Sequence, residues 1–458
     1  MKPTINLKFQ KFDINKKYYT LRDIVHMSKD GICNEMMENQ QGFRFSQVVD
    51  SMLYYHEVAF ENKQETDIDM WLGHCDVESG PYIIPVAVQY SPVDWTDMNN
   101  HGIPIPGKRS VFEFINPTYL KDLREGNAIL LLDQSVEGYG APWLWQWFHD
   151  KCKKYDINPA AIIYLTGDQA CTDTYGDWCS LHKPANELKV LPSISLTMYL
   201  HKHYVRRKMD INFDAILEHK RQNKDNMYLF DCTNMRPRPH RILNFLHMIN
   251  AGLLEKGNIS MSSQKEWRMY ADLNHTKFLT DYGLPPDIVS KLLPEMTPAT
   301  AKYNYEHELS HYYHYVERIL DDMYRNSWVS LITESSYFQF EFNAFLSEKT
   351  FKPIASMQPF IILGSKGSVD YLRRIGFKSF DPWIDESYST QDDSTRFLSV
   401  MNAIKQVEAI PDKVEWYASM RDVLEHNHAM FVEIGSKKST EHTLISDYYF
   451  EYFKDKNV

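Results

Sequence analysis

One stretch of the chain decides the fold: Trp328-Val329-Ser330-Leu331-Ile332-Thr333-Glu334-Ser335-Ser336. Its apolar and β-branched residues predict a buried strand that stops at Glu334. The segment from Phe345 to Ile354 has helical spacing, and Phe360-Ile361-Ile362-Leu363-Gly364 is a second short apolar run closed by a glycine. Strand, helix and strand in this order predict a β-α-β unit and therefore a parallel sheet.

This unit also predicts a ligand site. In open parallel sheets, ligands bind beyond the carboxyl ends of the strands, where helices begin. Glu334 and Ser335 follow the first strand, and Glu348, Lys349 and Lys352 lie at the start of the helix. Because lysine suits a phosphate and carboxylates suit sugar hydroxyls, we expect Glu334, Glu348 and Lys349 to hold a phosphorylated ligand.

A basic loop predicts a second part of the same site. Tyr228 to Cys232 has the pattern of a strand and Arg241 to Leu254 that of a helix, and the loop between them carries Arg236, Arg238 and His240. An arginine fork beside a helix N-terminus suits a diphosphate. The alternative is that the loop pairs with surface acids. Because basic residues at a helix start oppose the helix dipole, an anion is the favoured partner.

The first half of the chain contains another β-α-β pattern. Ala128 to Leu132 and Ala160 to Leu165 predict strands on either side of a helix from Trp143 to Lys154. The loop after the first strand carries Asp133 and Glu137. We expect Glu137 to act as a general base, with Asp133 as the second candidate; the alternative is that Asp133 caps the helix and Glu137 is solvated.

Three further segments give structural expectations. Tyr82 to Tyr90 predicts a strand, and its Pro85 favours an edge position. The polar region from His201 to Asn226 predicts a connection between domains, with Lys220 and its basic neighbours on the surface. The segment from Asp447 to Asp455 is aromatic and amphipathic.

Composition predicts a folded protein of two domains. The chain has 458 residues, 43% of them hydrophobic, with 50 basic against 61 acidic residues. A net charge of −11 argues against a global basic field for nucleic acid. The six cysteines lack CxxC spacing and no apolar run is long enough to span a bilayer, so we expect a cytoplasmic location.

A competing motif is His307-Glu308-Leu309-Ser310-His311. On a helix, the two histidines share one face and can bind zinc, with the glutamate as base. Such a site would make the protein a zinc metallohydrolase, with Glu334 as a conceivable third ligand. A five-residue pattern arises by chance more readily than the several ordered motifs that follow Trp328. We therefore expect no metal site.

The motifs after Trp328 resemble the donor site of fucosyltransferase-like enzymes of the GT-B architecture. Those enzymes have a strand ending in Glu-Asn-Ser, a helix opening with Thr-Glu-Lys, and a strand Pro-Val-Val-x-Gly. Here Ser335 replaces the asparagine and Ser347 the threonine. The longer run to Tyr388, together with the arginine loop, is similar to glycosyltransferase-like proteins of tailed phages, so the chain is expected to be phage-encoded and to work in a host cytoplasm.

The resemblance implies an α/β, GT-B-like fold of two facing Rossmann-like domains with an interdomain cleft. Residues 1–220 would bind the acceptor. Residues 225–458 would bind the nucleotide-diphosphate sugar, and the C-terminal tail would pack back on the first domain. The implied function is a metal-independent glycosyltransferase without a cofactor, whose donor residues are Arg236, Arg238, His240, Arg241, Glu334, Ser335, Glu348, Lys349 and Lys352.

The acceptor stays open at this point. A saccharide suits the acidic balance and the many aromatic residues. The alternative from the phage resemblance is DNA modification, in which the sugar is transferred to a hydroxylated base. That would need a basic groove, for which the candidates are Lys151, Lys153, Lys154, Arg206, Arg207 and Lys208. A third possibility is a carbohydrate-binding module without activity.

Overall fold

The computed structural model describes residues 4–8, 69–73, 80–87, 111–113, 115, 117–135, 138, 140–194, 197, 200–201, 204–205, 209–234, 238–261, 280–282, 284, 286–287, 321–338, 344–436 and 440–456. Contacts divide the chain into two compact units. Unit 1 comprises residues 1–195 and 437–458, and unit 2 comprises residues 196–436.

The described part of unit 1 is built on a parallel sheet. Its strands are β1 (Thr4–Lys8), β2 (Asp69–Gly73), β3 (Tyr82–Ala87), β4 (Ala128–Gln134), β5 (Ile162–Thr166) and β6 (Lys189–Pro192). Its helices are α1 (Pro117–Arg124), α2 (Pro142–Tyr155), α3 (Cys171–His182) and α12 (Thr440–Tyr452). The strand order is β2-β1-β3-β4-β5-β6, and each neighbouring pair is parallel.

Both faces of this sheet are covered, which is why its strands read as continuous apolar runs. All seven residues of β4 are buried. Leu130 and Leu132 point to the face that packs with α2 and α3. Ile129 and Leu131 point to the other face, where they pack with Ile445, Tyr449 and Phe453.

Helix α12 crosses the second face of the sheet from the edge strand β6 to the inner strand β3. Near its start, the carboxylate of Glu441 accepts a hydrogen bond of 2.8 Å from the backbone N–H of Ile194, just after β6. Near its end, the hydroxyl of Tyr449 donates to the carbonyl of Pro81, just before β3. The C-terminal helix is therefore an integral part of the core of unit 1.

The described part of unit 2 contains a second parallel sheet. Its strands are β7 (Tyr228–Asn234), β8 (Gly257–Met261), β9 (Ser327–Thr333) and β10 (Phe360–Leu363). Its helices are α4 (Phe213–Asn223), α5 (Pro239–Asn250), α6 (Asp321–Arg325), α7 (Glu348–Ala355), α8 (Ser368–Arg374), α9 (Asp393–Ala409), α10 (Lys413–Ser419) and α11 (Arg421–Ser436). The strand order is β10-β9-β7-β8, again with parallel pairs. The predicted α/β class with two Rossmann-like sheets is confirmed.

The order of the second sheet contains a topological switch point between β7 and β9. The chain leaves β7 for β8 on one side and leaves β9 for β10 on the other. The connections that follow these two neighbouring strands therefore diverge at their carboxyl ends. Open α/β sheets bind ligands at such a point.

Two structural expectations are wrong. Strand β3 is not at an edge, because it lies between β1 and β4. The pairing of β3 with β1 is at Ile83, and Pro85 lies two residues beyond it, so the missing N–H of the proline does not interrupt that pairing. Lys220 is fully buried rather than on the surface. Its ammonium donates to the carbonyls of Tyr324 and Ser327, which hold α4 against the start of β9.

The first boundary between the units lies at Ser195, before α4, and α4 packs with α6 and α10 of unit 2. In the described residues, no helix is long and apolar enough to cross a membrane.

Candidate functional site

The candidate site lies at the carboxyl edge of the second sheet, where the segments after β7 and β9 meet. Arg238 precedes α5, and its guanidinium donates a hydrogen bond of 2.7 Å to the carbonyl of Ser335. His240 is buried in the first turn of α5, and its Nε2–H donates to the carbonyl of Glu334 at 2.8 Å. These contacts tie the basic loop to the residues that follow β9.

Arg241 reinforces this junction. It is 3% exposed, and its Nη2 lies 3.2 Å from the carbonyl oxygen of Thr333 and 3.3 Å from that of Glu334. A buried guanidinium needs such acceptors because an unsolvated charge is costly. These hydrogen bonds therefore fix the positively charged guanidinium of Arg241 at the switch point between β7 and β9.

The pKa of His240 is affected by three neighbouring cations of the site. Burial lowers the pKa of this imidazole well below its usual range, and the charge of Arg241 lowers it further, as do those of Arg238 and Lys349. The hydrogen bond to the carbonyl of Glu334 opposes the shift only in part. His240 is therefore neutral, and it stacks on Tyr337 at 5.6 Å between ring centroids.

Helix α7 supplies the other half of the site. Ser347 caps its N-terminus, with Oγ accepting from the backbone N–H of Lys349 at 3.3 Å. The ammonium of Lys349 lies 2.7 Å from a carboxylate oxygen of Glu348. Burial opposes ionisation of Glu348, but Lys349 and Lys352 outweigh it and lower the pKa to about 2. Burial lowers the pKa of Lys352 to about 8, although Glu348 opposes that shift.

Glu334 joins β9 to α7. The side chain is fully buried, and Oε1 accepts from the backbone N–H of Ser347 at 2.9 Å and from Thr350 Oγ1 at 2.5 Å. Oε2 accepts from Ser347 Oγ at 2.5 Å and from the backbone N–H of Ser335 at 3.2 Å. The carboxylate thus receives four hydrogen bonds from the protein.

Positive charge exceeds negative charge among the described residues of the site. The basic side chains are those of Arg238, Arg241, Lys349 and Lys352. The carboxylates are those of Glu334 and Glu348. Four cations against two anions leave an excess of two positive charges in a partly desolvated place, which is suited to an anion such as a diphosphate.

The structure therefore brings together eight of the predicted donor residues from two separate segments of the chain. They are Arg238, His240, Arg241, Glu334, Ser335, Glu348, Lys349 and Lys352. Arg236 lies outside the described residues. Contact of any of these side chains with a donor stays a prediction.

The predicted catalytic residues lie in unit 1. Asp133 is the sixth residue of β4 and is buried. Its Oδ1 accepts from the backbone N–H of Ser135 at 2.9 Å, so it stabilises the turn that begins the predicted loop. Glu137 lies outside the described residues. The role of both as acid–base groups stays a prediction.

A close approach fixes the end of the same loop. A Cβ atom on Gly140 would lie 2.3 Å from Oδ2 of Asp168. Asp168 is fully buried after β5, and its Oδ1 accepts from the backbone N–H of Ala170 at 2.9 Å. The segments after β4 and β5 therefore touch at Gly140, where a larger residue would displace the carboxylate of Asp168.

Arg396 is a residue near the site that the sequence analysis missed. It is 1% exposed on α9, and its guanidinium donates to the carbonyls of Tyr337, Gly364 and Gln391 and to the carboxylate of Asp393. It thereby joins the segments after β9 and β10. The sequence signal that could have identified its burial is that Arg396 lies four residues before the buried Val400, on the same face of α9.

Among the residues that the structure describes, no group of three or more His, Cys, Asp or Glu side chains could hold a metal ion. His307, Glu308 and His311 lie outside those residues. The basic residues 206–208, which are candidates for a DNA-binding groove, also lie outside the described residues.

Comparisons with known proteins show only distant likeness. No protein-family model and no curated protein matches the sequence significantly. An α,α-trehalose 6-phosphate synthase from Burkholderia multivorans matches with a TM-score of 0.44 at 10% identity, over 90% of this chain and 75% of the other. The N-terminal domain of trehalose-6-phosphate phosphatase from Candida albicans matches with a TM-score of 0.37 at 9% identity, over 82% and 73%.

Neither of these two structures is described as a fucosyltransferase-like enzyme or a phage protein. Both TM-scores are below 0.5, so the chemistry of these proteins is not transferred to this chain. The resemblance carried by the sequence motifs stays a prediction.

Proposed function

We propose that this protein is a glycosyltransferase of the GT-B type, which moves a sugar from a nucleotide-diphosphate sugar to a hydroxyl acceptor. The observation that carries the proposal is the excess of positive charge at the switch point between β7 and β9. Arg238 and Arg241 donate hydrogen bonds to the residues that follow β9, and Lys349 is joined to the same residues through Ser347 and Glu334.

The donor half of the reaction requires stabilisation of a leaving diphosphate. Glycosyl transfer passes through an oxocarbenium-like transition state in which negative charge builds up on the departing group. Guanidinium groups offer paired donors to phosphate oxygens, and ammonium groups add point charges. In this proposal Arg236, Arg238 and Lys349 bind the diphosphate, and the buried Arg241 and Lys352 add their charges from behind. Fixed cations take the electrostatic role of a metal.

The acceptor half belongs to unit 1 in this proposal. An inverting reaction needs a general base to deprotonate the acceptor hydroxyl. Glu137 is assigned that role, and Asp133 is the second candidate because it lies near the end of β4, four residues before Glu137. A saccharide is the proposed acceptor, since aromatic residues, 14% of this chain, suit stacking on sugar faces.

A thermal-shift screen against ADP, CDP, GDP, UDP and TDP, followed by their sugar conjugates, tests the function. A ligand that binds only the folded protein raises the unfolding midpoint. We expect one nucleoside diphosphate to raise it and the corresponding nucleotide sugar to be hydrolysed slowly without acceptor. Binding without any turnover, in the presence of a wide panel of acceptors, would instead indicate a binding module.

A further inference from the structure

The position of Glu334 differs from that of a residue available to a ligand. It is fully buried, and both carboxylate oxygens already accept two hydrogen bonds each, from Ser335, Ser347 and Thr350. An ionised carboxylate offers about four acceptor sites. A ribose or sugar hydroxyl would therefore have to displace a protein donor from a site without access to solvent.

Glu334 is linked to Lys349, a cation of the site, through the hydroxyl of Ser347. Ser347 Oγ donates to Glu334 Oε2 and lies 3.3 Å from both the backbone nitrogen and the Nζ of Lys349. The Lys349 ammonium is thus held by Ser347 Oγ together with the carboxylate of Glu348, and the orientation of Ser347 is set by Glu334. The first turn of α7 is built on this chain of hydrogen bonds.

Glu334 also reaches the basic loop, through its backbone. Its carbonyl accepts from His240 and Arg241, while its side chain holds α7. On a third side, Glu334 packs against Gly364, the residue that follows β10. A Cβ atom on Gly364 would lie 3.2 Å from the Cβ of Glu334.

We propose that Glu334 is a positioning residue, which sets the Lys349 ammonium for a bound diphosphate through Ser347 and does not touch the sugar or the ribose. This inference rests on the proposed function. It revises the sequence prediction for Glu334 from a group that binds hydroxyls to one that organises the phosphate half of the site.

Calorimetric titration separates the two roles. The probes are the nucleoside diphosphate that stabilises the wild type most, and the nucleoside of the same base. We expect Glu334→Gln to weaken the diphosphate about tenfold, because glutamine cannot accept all four hydrogen bonds, and to leave nucleoside affinity within about twofold. Equal losses for both probes would show contact with the ribose and overturn the inference.

Ser347→Ala provides a second route if Glu334→Gln folds poorly. This substitution removes the hydroxyl that links Glu334 to Lys349, so it should also weaken the diphosphate while sparing the nucleoside. The effects of the two substitutions on diphosphate affinity should not add in the double variant. Full additivity would show independent action and contradict the proposal. Asp412→Ala is the matched control, because it also removes a helix cap, at α10, and should lower stability without changing diphosphate affinity.

The wild type distinguishes the two levels of failure. If it binds none of the nucleoside diphosphates, the proposed function is overturned and the inference with it. If it binds one, and Glu334→Gln and Ser347→Ala both bind it with unchanged affinity, only the inference is overturned.

Discussion

At the scale of single residues, Lys349 is the most direct test of the diphosphate assignment. Its ammonium is paired with Glu348 but retains 15% exposure, which leaves it open to a ligand. Lys349→Ala removes a charge-assisted contact worth roughly 1.5–3 kcal/mol. We expect affinity for a nucleoside diphosphate to fall about tenfold or more by calorimetry. Unchanged affinity in a folded variant would remove Lys349 from the site.

Glu348 gives a prediction for pH dependence. Its pKa is lowered from about 4.5 when unfolded to about 2 when folded, so its contribution to stability is fully present above pH 4.5. That contribution disappears as the pH falls toward 2. Glu348→Gln should therefore lower the free energy of unfolding by at most about 3–4 kcal/mol at pH 7, from 1.36 kcal/mol for each of about 2.5 pKa units.

Chemical denaturation of wild type and Glu348→Gln between pH 3 and pH 7 checks this prediction. The difference in unfolding free energy should shrink as the pH drops below 4.5, because the Glu348 carboxyl then becomes protonated in the unfolded state while it stays ionised in the folded state. A difference that stays constant over this range would mean that the charge of Glu348 stabilises nothing.

At the scale of elements, sequence patterns located β4, β5, β7, β9 and β10 because parallel strands covered on both faces are continuous apolar runs. They misjudged residues whose environment comes from distant segments. Lys220 lies on a polar helix, and its burial depends on Tyr324 and Ser327, about 105 residues later. The hydrogen bonds of Glu334 to Ser347 and Thr350 were hidden for the same reason.

Lys220 tests how α4 is attached to unit 2. Its ammonium also donates to Gln358 and lies 4.8 Å from the ring centroid of Tyr417. Lys220→Met should lower the free energy of unfolding by about 2–4 kcal/mol, because buried carbonyls lose their donor.

Arg221→Met is the control on the same helix. Arg221 is exposed and pairs only at the surface with Glu218, so its replacement should change stability by less than about 0.5 kcal/mol. Urea denaturation measures both variants. Equal effects would contradict the role assigned to the buried lysine.

At the scale of the whole molecule, a net charge of −11 coexists with a local excess of positive charge in unit 2. The order of the motifs in the sequence predicted which residues form that cluster. The sequence could not place the cluster between β7 and β9, because strand order follows from pairings between distant segments. The boundary at Ser195 was hidden for a similar reason, since α4 belongs to unit 2 by packing.

Division of labour between the units gives a further prediction. Glu137→Gln keeps the size of the side chain but removes the proton acceptor, so donor affinity should stay near wild type while transfer falls by about 10²–10⁴-fold. Asp133→Asn should be milder, because its Oδ1 supports the turn at Ser135. Transfer assays at saturating donor check both variants. A severe effect of Asp133→Asn with a neutral Glu137→Gln would assign the base to Asp133.

The most direct measurement is calorimetric titration of the wild type with a nucleoside diphosphate and with its nucleoside, at low and at high salt. If the switch point of the second sheet binds diphosphate through its cations, the diphosphate must bind much more tightly than the nucleoside, and the difference must narrow as salt screens the charges. Equal affinities for the two ligands, or no binding of either, would contradict the account.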